Sequence, residues 1–154
     1  MNTDDMSYRY KMDKVAIALT GSGKNSHTNI TNITSIADQL NTNMYIIMSY
    51  IGWSLGTNIT DNIVKGHYNN DVIQNIIFNF IKFATLCNKC TIPELTPIIK
   101  GKNKNKELHM ECSACGSSYI LEGDNKINNK LVDTMIKYYS INEFKPKDGN
   151  IVKQ

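Results

Sequence analysis

At 154 residues, the chain is long enough for one ordinary domain or two small ones and too short for a large enzyme with inserted lids. Its net charge of +3 permits contact with RNA without demanding it, and the charged start, with Asp4, Asp5, Arg9, Lys11, Asp13 and Lys14, has no apolar core of a secretory signal. The longest apolar run, Met44 to Leu55, is broken by Ser49 and Gly52 and falls short of the ~20 residues that span a bilayer, so a soluble protein of a reducing, cytoplasmic compartment is expected, with no membrane partner.

The first stretch of interest is SYRYKM, Ser7 to Met12, which precedes anything patterned like a folded core. Arg9 is the only arginine, and every other fixed cation is a lysine. A guanidinium is planar and forks onto two anionic oxygens, which an ammonium cannot do. The chain is also rich in Asn and Ile, a bias that favours Lys over Arg in coding, so position has to decide what Arg9 means.

KVAIAL, Lys14 to Leu19, reads as a strand, followed by the turn-rich TGSGKNS and a second strand around Thr28 to Thr31, a hairpin. The GSGK within it is not a phosphate-binding P-loop, because Ala18 stands where the first glycine belongs and Asn25 where Ser or Thr must follow the lysine. Asn32 is placed to cap a helix whose apolar face is Ile33, Ile36, Ala37 and Leu40. Met44 to Leu55 reads as a buried helix stopped by Gly56, with Trp53 as core. A short hairpin fits NIT and NIVKG with Asp61 and Asn62 at its turn, and a third helix follows with Val72, Ile73, Ile76, Ile77, Phe80 and Phe83 on one face. Apparent glycosylation sequons at Asn29, Asn32 and Asn58 are read as unmodified polar positions in this compartment.

All four cysteines fall into two CxxC pairs, Cys87 and Cys90 in LCNKCT and Cys112 and Cys115 in ECSACGS, a zinc-ribbon spacing. Two knuckles of this kind complete a tetrahedral site, and with all four positions filled by protein one Zn²⁺ is expected as a structural element, not a catalytic one. Disulfides or a redox CxxC lack the secretory context or βαβ pattern they need. Between the knuckles, Leu95 to Ile99 and Leu108 to Glu111 read as paired strands whose tip, GKNKNKE, carries Lys100, Lys102, Lys104 and Lys106. That tip is either a solvated hairpin end or a phosphate-contacting finger, to which Lys14 and Lys24 would add. Tyr119 to Leu121 closes the ribbon, and Lys130 to Tyr139 reads as a helix with Leu131, Val132, Met135, Ile136 and Tyr139 on one stripe. His27, His67 and His109 have no ligand spacing, and no nucleophile, base and orienter can be assembled.

Taken together, YRYKM, a GTxxI-like hairpin at Gly56, the helix ending FIKFATLCNKC and the knuckle CSACG resemble the family of eukaryotic translation initiation factor five, in its N-terminal domain, and of the beta subunit of initiation factor two. The resemblance covers roughly residues 7 to 139. It implies an α+β fold: a small α/β module similar to initiation factor one, joined to a four-cysteine zinc ribbon with a short C-terminal helix. The divisions expected are a tail at 1–13 with the YRYKM motif, the α/β module at 14–84, the ribbon at 85–123, a C-terminal helix at 124–140 and a disordered tail at 141–154. It also implies an activity, stimulation of GTP hydrolysis by initiation factor two, whose gamma subunit is the GTPase, on a small ribosomal subunit carrying initiator tRNA. The chain itself would not be an enzyme. In the family the arginine of the tail motif is the candidate arginine finger, which falls on Arg9, with Tyr8, Tyr10 and Lys11 as tail support. Two supporting lysines of the family fall on His27 and Ser49 here, Asp13 replaces a proline, and the family's C-terminal helical-repeat domain is absent from the sequence. Those departures leave open a module that binds near initiator tRNA without activating, or mimics the beta subunit of factor two. A monomer is expected.

Overall fold

The computed structural model describes residues 13–92 and 94–142, and the chain divides between Phe80 and Ile81 into two compact units. In the first, β1 (Ile17–Thr20) and β2 (His27–Ile30) form an antiparallel hairpin with Ile17 opposite Ile30 and Thr20 opposite His27. β3 (Ile59–Thr60) and β4 (Ile63–Lys65) form a second hairpin, and β4 pairs with β2 to give the sheet order β1-β2-β4-β3. The period of two sends Thr28, Ile30 and Val64 inward. Thr28 is polar yet fully buried, and its hydroxyl donates to the Gly66 carbonyl (2.7 Å) and accepts from Tyr68 N–H (3.0 Å), so burial leaves nothing unpaired.

Three helices cover this unit's core. α1 (Ile33–Gln39) buries Ile33, Ile36 and Ala37, with Leu40 just beyond it, the face its spacing predicts. α2 (Met44–Leu55) starts at Asn43, whose side chain accepts from Ile46 N–H at 3.1 Å, and stops at Gly56 in the left-handed region, where Thr57 N–H returns to the Gly52 carbonyl at 3.0 Å. It is buried from Ile46 to Gly52; Tyr45 at its start is exposed, and Trp53 is only half-buried, against the expectation of a core tryptophan. Burying the side chains of Ile46, Ile47 and Ile51 contributes about 2 kcal/mol each. α3 (Asn70–Phe80) buries Ile73, Ile76, Ile77 and Phe80, the last edge-on to Tyr50 with ring centres 5.6 Å apart. Val72 is exposed, because the buried stripe runs instead through Gln74 and Phe78, and Phe83 lies half-buried beyond the helix.

The second unit opens with a wide π-helical turn, Ile81–Thr85, closed by Leu86 N–H to the Ile81 carbonyl at 2.9 Å, two residues before the first cysteine. β5 (Leu95–Lys100), β6 (Glu107–Cys112) and β7 (Ser118–Ile120) form an antiparallel sheet in that order, with Leu95 opposite Cys112 and Lys100 opposite Glu107. Leu108, Met110 and Cys112 alternate inward along β6. α4 (Lys126–Ile141), longer at both ends than the periodicity of 130–139 indicates, packs on β5 and β6 through Leu131 and Met135. Its true start is set by Asn125, which accepts from Asn128 N–H at 2.8 Å, a polar signal that apolar spacing does not register. No helix among the described residues is long and apolar enough to cross a membrane.

Candidate functional site

Each CxxC turns through the same backbone device. Thr91 N–H donates to the Cys87 carbonyl and Gly116 N–H to the Cys112 carbonyl, both at 2.9 Å, while Cys87 N–H reaches the Ile92 carbonyl (3.2 Å) and Cys112 N–H the Ser117 carbonyl (2.9 Å). Both knuckles therefore bend at a left-handed residue, Thr91 with φ +60° and Gly116 with φ +79°. The bends bring the four sulfurs within 4.8 Å of one another, with Cys90 to Cys112 at 3.6 Å and Cys87 to Cys115 at 3.8 Å. A tetrahedral thiolate centre with arms of about 2.3 Å has edges of about 3.8 Å, so the donor set fits a single structural metal ion. These separations are far beyond the ~2.05 Å of a disulfide, and all four thiols are free.

Electrostatics point the same way. The Cys115 thiol is held at about 6, first by the Ser117 hydroxyl 3.1 Å from its sulfur and then by the Ser117 backbone N–H. Cys90 is pushed up to about 12: the backbone N–H of Ile92, its largest single influence, pulls downward and is outweighed by desolvation together with hydrogen bonding to the sulfurs of Cys112, Cys115 and Cys87. Four thiolates this close would repel one another, and a shared cation offsets that repulsion. Lys89 N–H donates to Cys87 Sγ at 3.3 Å, and Tyr119 Oη accepts from Asn88 N–H at 3.3 Å, tying the first knuckle to β7. Desolvation, ahead of the nearby sulfurs, raises the Tyr119 phenol. Cys87 and Cys112 are buried and Cys115 is exposed.

Across residues 1–118 the chain matches the model of a domain described as found in initiation factors 2B and 5. It belongs to that family. Eukaryotic translation initiation factor 5 of Caenorhabditis elegans is 34% identical over 134 residues, covering 83% of this chain and 30% of the relative. A probable factor 5 of Arabidopsis thaliana is 32% identical over 88% of this chain and 31% of its own length, and factor 5 of Saccharomyces cerevisiae is 30% identical over 83% and 32%. The chain thus spans about a third of the factor 5 relatives it matches and corresponds to their N-terminal domain.

Within this factor-five domain, Arg9 and its neighbours Tyr8, Tyr10 and Lys11 lie outside the described residues. The structure does describe the backbone that follows this motif. Side-chain amides hold the backbone from Asp13 to Ala16: Gln39 Oε1 accepts from Asp13 N–H (2.7 Å), Asn32 Nδ2 donates to the Lys14 carbonyl (2.8 Å) and Gln74 Oε1 accepts from Val15 N–H (2.9 Å). Asn70 Nδ2 donates to the Val15 carbonyl (2.8 Å), and Asn32 Oδ1 accepts from Ala16 N–H (3.0 Å). Asn32 thus stands in for a strand neighbour, and its side chain does not cap α1 as its position predicts. Because these amides do the pairing, β1 begins at Ile17 and not at Lys14. Gln74, a polar residue on the apolar stripe of α3, is the signal by which this clamp could have been found in sequence.

His27 opens β2 half-buried, and Ser49 is buried in α2. His67 Nε2 lies 2.9 Å from the Thr20 carbonyl, and His109 pairs with Glu107 at 3.1 Å; among the described residues the metal-compatible cluster contains cysteines and no histidine. Of the lysines, Lys14 precedes β1 and Lys24 sits at the β1–β2 tip in the first unit, while Lys100, Lys102, Lys104 and Lys106 surround the β5–β6 tip in the second. The rejected P-loop is an antiparallel hairpin tip with a strand, not a helix, after it.

Proposed function

We propose that this domain acts in translation initiation by stimulating GTP hydrolysis on the gamma subunit of initiation factor two within the small-subunit complex that carries initiator tRNA, with Arg9 as the arginine inserted into the GTPase centre and a part in start-codon selection. The observation that carries the reading is the lone arginine inside YRYKM in a chain that belongs to the factor-five domain family. Phosphoryl transfer spreads charge over the γ-phosphate oxygens, and a forked guanidinium from a partner bridges them, an effect worth roughly 10³ to 10⁵ in rate. The amide clamp at Asp13 to Ala16 supports the reading by giving the tail a fixed root. Tyr8, Tyr10 and Lys11 would order the tail against its partner.

The metal of the cysteine centre is proposed to be one Zn²⁺, which suits four thiolates in a tetrahedron. It is held by Cys87, Cys90, Cys112 and Cys115 and supplies folding energy with no open position for substrate. The active site belongs to the partner GTPase, and the working compartment is the cytoplasm.

Single-turnover GTP hydrolysis in a reconstituted small-subunit initiation complex tests the proposal, comparing the wild type, Arg9→Lys and no added protein. Stimulation by the wild type that Arg9→Lys abolishes, with binding to the complex retained, is the expected result. Absence of stimulation despite tight binding would sink it. That outcome would favour the second reading, a binding module without activation, for which the specific observation is His27 and Ser49 at positions where the family resemblance places lysines.

A further inference from the structure

Two of the hairpin tips among the described residues are the same six-residue turn. Gly21-Ser22-Gly23-Lys24-Asn25-Ser26 joins β1 to β2, and Gly101-Lys102-Asn103-Lys104-Asn105-Lys106 joins β5 to β6. In both, the first glycine is left-handed (φ +71° and +96°), the third residue is left-handed (Gly23 φ +58°, Asn103 φ +54°), and a single 3-10 turn covers positions three to five. In both, the Asn at position five donates its backbone N–H to the carbonyl at position two, at 3.0 Å from Asn25 and 2.9 Å from Asn105. A Cβ on Gly21 or Gly101 would collide with the carbonyl oxygen of that same Asn, so the backbone shape admits little variation.

The two tips share glycine at the first position, lysine at the fourth and asparagine at the fifth. The remaining three lysines of the ribbon hairpin replace neutral residues at equivalent places: Thr20 corresponds to Lys100, Ser22 to Lys102 and Ser26 to Lys106. Turn formation therefore does not explain them, and four like charges this close repel one another. Lys100, Lys102 and Lys104 are exposed, and none of the four makes an ion pair among the described residues. Glu107, the carboxylate at the strand start, is engaged by His109.

We infer that the β5–β6 tip is a rigid phosphate-binding finger for an RNA backbone, separate from the Arg9 tail and independent of whether GTPase activation holds. The four ammonium groups supply the phosphate contacts. Asn103 and Asn105, set between the lysines, add amide donors and acceptors for sugar and base edges. The tip from Lys100 to Glu107 has no apolar side chain to enter a bilayer, which sets it apart from a membrane-binding loop.

The test is a fluorescence-anisotropy titration of a short labelled RNA hairpin with the full chain, between about 50 and 200 mM salt. Replacing Lys100, Lys102, Lys104 and Lys106 together by Gln is expected to weaken binding about ten-fold or more at the low end and to flatten the slope of log K against log salt by about 2 to 3. A control that replaces Lys65, Lys126, Lys130 and Lys137 by Gln removes the same charge from exposed positions elsewhere and is expected to change the slope by less than about 1. Lys24→Gln, on the same turn with one lysine, is expected to behave like the control, and Arg9→Lys to bind RNA as the wild type does. Bound-metal stoichiometry and circular dichroism confirm that each variant is folded. Equal losses in the two quadruple variants would reduce the effect to net charge and overturn the inference. So would no loss in either, or tighter binding to phosphatidylserine vesicles than to RNA.

Discussion

At the scale of single residues, the protein spends polar side chains where most folds use backbone pairing. Asn32 meets the backbone of Lys14 and Ala16 with both ends of its amide, so its variants separate the two bonds. Asn32→Ala is expected to cost about 0.5 to 1.5 kcal/mol, since it removes two hydrogen bonds whose exposed backbone partners water can take up. Asn32→Asp keeps an acceptor for Ala16 N–H but sets an oxygen against the Lys14 carbonyl. Hydrogen exchange resolves the difference: the Ala16 amide loses protection in the Ala variant and keeps it in the Asp variant, and equal exchange in both would contradict the clamp. A second residue-scale prediction comes from Thr91, a β-branched residue at φ +60° where the matching knuckle has Gly116. Thr91→Gly should stabilise the metal-bound ribbon by about 0.5 to 1 kcal/mol, because the left-handed strain outweighs both the entropy of glycine and an exposed hydroxyl contact to the Cys90 carbonyl. Gly116→Thr should do the reverse. Thermal midpoints of the loaded protein check both, and an unchanged or lower midpoint for Thr91→Gly would show that the strain is illusory.

Among the elements, those whose signal is apolar periodicity or turn chemistry were legible in the sequence: the α2 helix with its Gly56 stop, the Asp61–Asn62 hairpin and the two knuckles that gather the sulfurs. Boundaries set by polar side chains were not. β1 starts at Ile17 because amides from distant positions occupy the preceding backbone, and α4 starts at Lys126 because Asn125 caps it. The π turn at Ile81–Thr85 also escaped, since one extra residue in a helical turn leaves no compositional trace. In the candidate site, the cysteine ligand set could be read from spacing alone, whereas the duplicated hairpin turn was hidden because its residues agree at only half of its six positions. What the copies share is backbone conformation, which the sequence encodes only through Gly21 and Gly101 and the left-handed Gly23 and Asn103.

For the whole molecule, the two units draw on different sources of stability. The first has the larger apolar core, with Ile30, Ile33, Ile36, Ile46, Ile47, Ile51, Ile73 and Ile77 nearly or fully buried, and it includes none of the cysteines. The second has a smaller core of which Cys87 and Cys112 are themselves part, so a metal ion bound at the four sulfurs, as proposed, would hold that core together. Structural thiolate sites of this kind contribute on the order of 10 kcal/mol or more, comparable to the entire stability of a small domain. Removing the metal with a chelator under reducing conditions should therefore unfold the ribbon and leave the first unit standing. The sequence provides a native reporter, since Trp53, the single tryptophan, lies in α2 of the first unit. Its emission should stay near the folded value after chelation and collapse only at a separate, higher denaturant midpoint. Amide signals of β5, β6 and β7 should instead be lost as metal leaves, and return on adding Zn²⁺. Simultaneous loss of the Trp53 signal on chelation would mean that the first unit cannot stand on its apolar core alone. Cys112→Ser gives the same comparison without chelator: it removes one ligand and a buried position of β6 and should reproduce the chelated state at the ribbon, with Trp53 again unaffected.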